Sequence, residues 1–344
     1  MKTKSHVFRR SLLDGVSFAL FVSVILSLIY NPTDEQLLNL SLVSTIFIGS
    51  MIAGGLLSHF LNQAGYKTFG ENLFEPAYVK ARAESKPWYK AFWGWHLFLT
   101  ILVLFIVGLF KTKFSMYELL DEDGFEGAKR LFKGIFSPNW QVLPTAVLNI
   151  IETIFMAFLA TFLAIPFAFL LSFVAAKNIM KSPWAYAVYM FVRTVLNVTR
   201  SIEALVWAII FSVWVGIGPF AGMLALMIHS IASLTKQYSE MVETVYEGPI
   251  EGVQSCGANK LQVIWFAIVP QVVLPYISFT VYRWDINVRM ATIIGLVGGG
   301  GIGTMLIKYQ GQAMWPEVGT IIVVIAAVVW IMDQASAYIR EALK

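Results

Sequence analysis

The chain has 344 residues, 58% hydrophobic and only 13% charged, with a formal net charge of +4. A soluble domain of this length has no use for so much apolar surface, and the apolar residues gather in runs able to cross about 30 Å of hydrocarbon, which takes roughly 20 helical residues. The single cysteine, Cys256, excludes an internal disulfide framework and a cysteine metal cluster, and no two of His6, His59, His96 and His229 stand at metal-ligand spacing.

Lys2, Lys4, Arg9 and Arg10 precede a first apolar run over 12–30. Asp14 within it, and the lack of a small-residue cleavage site, mark it as a first span with its N-terminus inside rather than a removable signal peptide. An acidic connection, Asp34-Glu35, leads to a second span over 37–61. The loop after it holds Lys67, Lys80, Arg82, Lys86 and Lys90, and basic loops stay in the cytoplasm. A third span, 93–110, opens with Trp93 and Trp95 as interfacial anchors. Residues 111–145 balance acid and base and are expected outside. Within them, Leu119, Leu120, Phe125, Ala128, Leu131, Phe132 and Phe136 approach a 3.6-residue period, which predicts an amphipathic helix over 116–136 resting on the outer membrane face.

A long apolar run over 148–175, interrupted by Pro166, returns the chain to a basic inner margin carrying Lys177, Lys181, Arg193 and Arg200. Two short spans, 204–218 and 219–234, form a hairpin through the tight turn Gly216-Ile217-Gly218-Pro219. After a cytoplasmic loop, 261–282 climbs out again with Pro270 and Pro275 along it. A polar stretch over 283–289 and a glycine run follow, and a last span near 318–332 ends inside with Arg340 and Lys344. The expectation is an all-α integral membrane protein of about eight transmembrane helices with both termini cytoplasmic. Residues 1–110 form three accessory spans, 111–145 an extracytoplasmic linker with its amphipathic helix, and 146–344 a five-helix core.

The cytoplasmic loop carries a helix-sized polar insert, expected over 247–258. Pro249 suits the first turn of a helix, Glu251 places negative charge near the positive end of the dipole, and Gly257 can supply the left-handed residue that stops it. Glu251, Gly257 and Val269-Pro270 stand at the spacing of the Glu-Ala-Ala…Gly…Leu-Pro loop in membrane subunits of ATP-binding-cassette importers. No Gly-x-x-x-x-Gly-Lys-Ser/Thr motif is present, so any ATP that drives this chain is hydrolysed by another. A short helix seated in that partner transmits its closure as a rigid-body movement.

The likeness extends further. Thr199-Arg200-Ser201-Ile202-Glu203, Gly216 to Gly222, Glu247 to Val253, Tyr282-Arg283 with Asn287 and Arg289, and Gly298 to Gly303 together resemble the permease subunits of phosphonate importers of the ATP-binding-cassette class. The resemblance covers about 146–344, with a type I importer core. It implies a homodimer of this chain in the bacterial inner membrane, a homodimer of ATPase subunits that binds ATP and Mg, and an extracytoplasmic binding protein that delivers a phosphonate or a related phosphorus oxyanion such as phosphite, hypophosphite or phosphate. It implies no cofactor or metal in this chain, no catalytic residue and no nucleic acid. Gly252-Val253 replaces the usual Ala-Ala, and the first two spans exceed the family pattern.

Pro249, Glu251, Gly257 and Pro270 are the candidate ATPase-coupling residues. Arg283, Arg289, Arg200 and the glycines Gly298, Gly299, Gly300 and Gly301 are the candidate substrate pathway. About 22 helical residues at 1.5 Å each separate Leu261 from Arg283, which places Arg283 and Arg289 near the outer surface. There guanidinium groups offer paired donors to an oxyanion, with Asp285 and Arg289 as an i,i+4 pair. Four consecutive glycines cost helix stability at every position, so a locally unwound lining is expected, with backbone N–H groups able to cradle an anion. A self-sufficient transporter or channel for a small anion is the alternative, and would want acids deep in several spans; Asp14 and Glu152 are the nearest candidates. A membrane enzyme acting on lipid would want a clustered nucleophile, base or metal, and none is visible.

Overall fold

A computed structural model describes residues 2–29, 40–64, 66–74 and 87–343. The acidic connection at 34–35 and the basic positions 80, 82 and 86 lie outside the described residues. The chain divides into two compact units, Met1–Asp121 and Glu122–Lys344.

The first unit contains α1 (Lys2–Ile29), α2 (Leu40–Gln63), α3 (Phe69–Phe74), α4 (Phe92–Lys111) and α5 (Met116–Leu120). Small residues let α1 and α2 approach closely, as is usual in membranes. A Cβ on Gly15 would run into the Met51 carbonyl, and one on Gly55 would lie 3.2 Å from the Ser11 carbonyl.

The second unit begins with α6 (Glu122–Ile135), followed by α7 (Leu143–Val174), α8 (Pro183–Ser201), α9 (Ala204–Val215) and α10 (Pro219–Glu243). After these come α11 (Glu247–Ser255), α12 (Lys260–Val263), α13 (Val269–Ile294), α14 (Gly301–Gly311) and α15 (Trp315–Ala342). The amphipathic segment expected over 116–136 is thus divided between α5 and α6. Phe125, Phe132 and Phe136 stay exposed, while a Cβ on Gly134 would meet Trp315 of α15. Asn139 fastens the connection that follows, donating to Glu317 Oε1 (3.0 Å) while its carbonyl accepts from Thr320 Oγ1 (2.8 Å).

Among the described residues, five helical stretches are long and apolar enough to cross a membrane: Ser44–Gln63, Phe92–Phe110, Trp140–Val174, Lys260–Val297 and Trp315–Ala342. The α8–α9 pair makes a sixth if counted as one span, bent by 91° at its break. Sequence reading missed α8 as a helix and closed α10 at 234, although α10 continues to Glu243. Ser182 caps α8, its Oγ accepting from Ala185 N at 3.3 Å.

Helix α13 is the hub of the second unit. A capping box between Asn259 and Gln262 starts α12, and a π-helical turn, Ile264–Ile268, carries the chain into α13 without a break. Pro270 explains that turn. Its ring has no N–H and crowds the carbonyl four residues back, at Phe266, and one wide turn relieves both. The result is a stretch of 38 residues, Lys260–Val297. α7, α10 and α15 lie antiparallel to it. Tyr276 stacks on Tyr238 with ring centroids 3.8 Å apart, Ser172 and the Tyr276 hydroxyl are 3.1 Å apart, and the Arg340 guanidinium covers the Tyr282 ring at 5.2 Å. Alanines 157, 160, 164 and 168 recur every three or four residues along α7 and are fully buried, giving α10 and α13 a smooth surface to pack on.

Candidate functional site

Of the two arginines expected near an outer surface, Arg283 lies inside the bundle, whereas the Arg289 side chain is 44% exposed. Arg283 is 7% exposed and sits mid-way along α13, where Nε donates to Ser230 Oγ (3.2 Å) and Nη2 to His229 Nδ1 (2.7 Å). Asn287, one turn on, donates to Ser230 Oγ and to Thr161 Oγ1 of α7, both at 2.8 Å. The correction has a physical cause. With Leu261 as the first residue in hydrocarbon the span is expected to end at 282, leaving 283–289 as a polar stretch beyond it, but the α-helix runs on to Ile294 and a 3-10 turn carries it to Val297. Its register settles the depth. Tyr282 pairs with Arg340, near the end of α15, and Asn287 with Thr161, beyond the middle of α7. His229 and Ser230 lie at the middle of α10, so Arg283 sits near the middle of the bundle.

The α8–α9 elbow contributes to the same place. The Arg200 carbonyl faces the His229 ring, and Glu203 is close enough to act electrostatically on both His229 and Arg283. Trp207 Nε1 donates to the Thr199 carbonyl across the elbow (3.3 Å) and holds its angle. Because Arg283 donates to Nδ1, a neutral His229 carries its proton on Nε2. Among the described residues, no carboxylate forms a salt bridge with Arg283. A buried guanidinium whose direct partners are all neutral is costly in a membrane bundle, which makes Arg283 a candidate site residue. The Asn287 Oδ1 atom beside it is buried without a partner.

Arg289 serves a second cluster. It pairs with Asp285 on its own helix, as the i,i+4 spacing predicts, and with Asp333 Oδ1 of α15 at 2.6 Å. Asp285 is 2% exposed and its Oδ1 is otherwise unpartnered. Asp285 and Asp333 lie within spans of the second unit, as Glu152 does in α7, and these two acids are tied to one arginine. Ser230 and Asp333 escaped the sequence reading, His229 was weighed only as a metal ligand, and Asn287 entered only through the family resemblance. An ionisable residue inside an apolar run, as at His229 and Asp333, was the available signal.

The glycine run is unwound, as expected. α13 gives way to a single 3-10 turn, Gly295–Val297, and Gly298, Gly300 and Gly301 take φ of +88°, +80° and +67°. It is also tightly packed. A Cβ on Gly300 would lie 2.6 Å from Pro219, one on Gly298 2.8 Å from Ile217, and one on Gly301 would strike Thr153. Amides here serve the chain itself: Gly298 N donates to the Gly295 carbonyl (3.2 Å), Gly299 N to that of Ile294 (3.1 Å), and Ile302 N to Thr153 Oγ1 (2.9 Å). The cradle reading loses those donors. The run instead joins the α9–α10 turn to the end of α13.

The polar insert forms α11, with Pro249 in its first turn and Gly257 beyond its end at φ +79°. Glu251 is exposed, and Tyr246, Leu261, Trp265 and Phe266 around it are 61–82% exposed. Gln271 ties this end to α13, since its Oε1 accepts from Tyr246 N (3.0 Å) and its Nε2 donates to the Ala267 carbonyl (2.8 Å).

Residues 168–340 match the family described as "Binding-protein-dependent transport system inner membrane component". The chain belongs to that family. It is a transport permease subunit of the ATP-binding-cassette class, in which the ATPase is a separate subunit and a substrate-binding protein is a further partner. The permease is 36% identical over 207 residues to the phosphite transport system permease protein PtxC of Stutzerimonas stutzeri, covering 60% of this chain and 74% of that one. It is 31% identical over 214 residues to the phosphate-import permease protein PhnE of Mycolicibacterium smegmatis, covering 62% and 40%. In fold it is similar to a chain of the MetNI methionine ABC transporter in an inward-facing conformation, with TM-score 0.52, 22% identity, and coverage of 60% of this chain and 99% of that one. Among the described residues of the permease, no group of three or more His, Cys, Asp or Glu could hold a metal ion.

Proposed function

We propose that this permease moves a phosphorus oxyanion, a phosphonate or phosphite in the first instance, across the bacterial inner membrane, and that it does so as a homodimer above a homodimer of ATPase subunits. An extracytoplasmic binding protein delivers the anion. The chain crosses the membrane eight times with both termini in the cytoplasm, so that α11 faces the ATPase. Glu251 and Gly257 hold α11 in shape for that contact, and Gln271 passes its displacement to α13. The observation that carries the substrate reading is Arg283, a buried guanidinium hydrogen-bonded to neutral Ser230 and His229, beside the Arg200–Glu203 elbow. Its planar fork suits the paired oxygens of a tetrahedral anion, which a lysine cannot match. Relatives named for phosphite and phosphate import support this class of cargo.

Uptake of radiolabelled phosphite and methylphosphonate into proteoliposomes holding the whole complex tests this. Arg283→Lys is expected to lower uptake at least about tenfold at unchanged abundance, which corresponds to roughly 1.4 kcal/mol of lost anion interaction. Uptake equal to that of the parent complex would remove Arg283 from the pathway.

A further inference from the structure

Helix α6 has three different surfaces around its axis, whereas a helix held between a protein and water needs only two. At about 3.6 residues per turn, Leu131, Gly134 and Ile135 fall in one sector, Phe125, Ala128 and Phe132 in a second, and every charged side chain of the helix in the third. The first sector is occupied. A Cβ on Gly134 would strike Trp315 of α15, and one on Gly319 of α15 would strike the Ile135 carbonyl, so α6 and the start of α15 are pressed together without room to slide. The charged sector is solvated: Glu126 and Arg130 pair at 3.1 Å with side chains 69% and 81% exposed. The second sector is bare, with Phe125 66% and Phe132 57% exposed.

The place of α6 in the fold says what covers that sector. The apolar stretches Trp140–Val174 and Trp315–Ala342 both begin on a tryptophan, the residue type that gathers at the edge of the hydrocarbon. Trp315 meets α6 at Gly134, and Trp140 follows shortly after the helix ends, on the connection that Asn139 fastens to Glu317 and Thr320. At its other end α7 finishes beside the end of α10, where Lys177 N donates to Glu243 Oε1 (2.8 Å) and α11 begins. α6 therefore lies at the edge of the hydrocarbon, at the end of the bundle away from α11. A helix leaning on the bundle there has protein on one side, lipid on another and water on the third, and α6 has a surface for each. The phenylalanine sector offers no side-chain donor or acceptor to orient a protein partner, and acyl chains ask for none. Glu122, Asp123 and Glu126 balance Lys129, Arg130 and Lys133, so the helix makes no demand for an anionic head group.

We propose that α6 lies in the plane of the membrane surface with Phe125, Ala128 and Phe132 sunk among the acyl chains of a zwitterionic lipid layer, and that it holds the start of α15 at that level. The inference goes beyond the transport reading and depends on neither the cargo nor the coupling through α11.

The test uses the full-length protein with Cys256→Ser, carrying either Phe132→Cys or, on the charged sector, Arg130→Cys, labelled with the fluorophore NBD and reconstituted into phosphatidylcholine vesicles. The label at position 132 is expected to emit at shorter wavelength than the label at 130. It should also lose at least half of its intensity to phosphatidylcholine spin-labelled high on the acyl chain, at the depth of about 5–10 Å that a surface helix reaches. The label at 130 should be quenched by iodide in solution and not by that lipid. Quenching of the label at 132 by iodide alone overturns the proposal, because the sector then faces water. Short-wavelength emission that neither quencher touches also overturns it, because another protein chain then covers the sector. Lipid quenching at 132 that appears only once phosphatidylglycerol is added overturns the choice of a zwitterionic surface. Both substituted side chains are exposed, so folding should be undisturbed, and Phe125→Cys gives a second reading of the same sector.

Discussion

Arg289 answers to two carboxylates of unequal burial, and that inequality predicts which partner matters. Asp285 is 2% exposed, whereas the Asp333 side chain is 44% exposed. Removing Arg289 leaves a buried carboxylate without its counter-ion, a change that costs on the order of 3–5 kcal/mol. Asp333→Asn leaves Arg289 paired with Asp285 and costs about 1 kcal/mol or less. Thermal unfolding in detergent should therefore rank Arg289→Ala far below Asp333→Asn, and an Asp285→Asn, Arg289→Gln double variant should recover much of the loss. Equal losses for the two single variants would mean that the pair carries no burial penalty. Gly300 makes a comparable case without charge. At φ +80° and with Pro219 2.6 Å from its Cβ position, Gly300→Ala is strained twice over. The strained backbone alone costs about 1–3 kcal/mol. Gly252→Ala, in α11 with open space around it, is the control and gains up to about 1 kcal/mol of helix propensity. A lower unfolding temperature for the first and not the second is the expected outcome.

At the level of elements, the proposed coupling role of α11 makes its join to α13 the step by which a displacement would reach the polar cluster. Gln271 makes that join through Tyr246 N and the Ala267 carbonyl. Gln271→Ala is expected to leave assembly intact and to reduce substrate-stimulated ATP hydrolysis severalfold, as is Gly257→Leu; full stimulation in both would dissociate α11 from coupling. α11 itself was legible in the sequence, because proline, an acidic first turn and a closing glycine are local signals. The spans were legible for the same reason, since hydropathy is read along one helix. The polar stretch 283–289 was not. Arg283, Asn287 and Arg289 find their partners on α7, α10 and α15, at Thr161, Ser230, His229 and Asp333. Nothing in the spacing of one helix announces partners from three others, so a buried polar face reads as a polar stretch beyond the span. α8 went unrecognised because its mixed composition resembles a basic margin, and only its Ser182 cap and Pro183 mark a start.

The orientation proposed for the chain rests on its charges, and the second unit carries its own reporter. Cys256, the only cysteine in the sequence, is exposed just beyond α11. A membrane-impermeant maleimide should label it in inverted vesicles and leave it untouched in intact cells. In a Cys256→Ser background, Phe136→Cys, at a position 81% exposed, should show the opposite pattern. Labelling of both from one side would overturn the orientation. That orientation gives the length of α13 and its lead-in a mechanical meaning. Thirty-eight residues at 1.5 Å make a rod of about 57 Å, nearly twice the hydrocarbon thickness. Its weak points are at its ends: the wide turn before Pro270 and the glycine break after Val297. Between them, over 269–297, the arginines ride on about 43 Å of helix, so a tilt of about 10° imposed at one end sweeps the other through roughly 8 Å. On the proposed coupling through α11, a small angular input at the cytoplasmic end thus becomes a displacement of several ångströms at the glycine break.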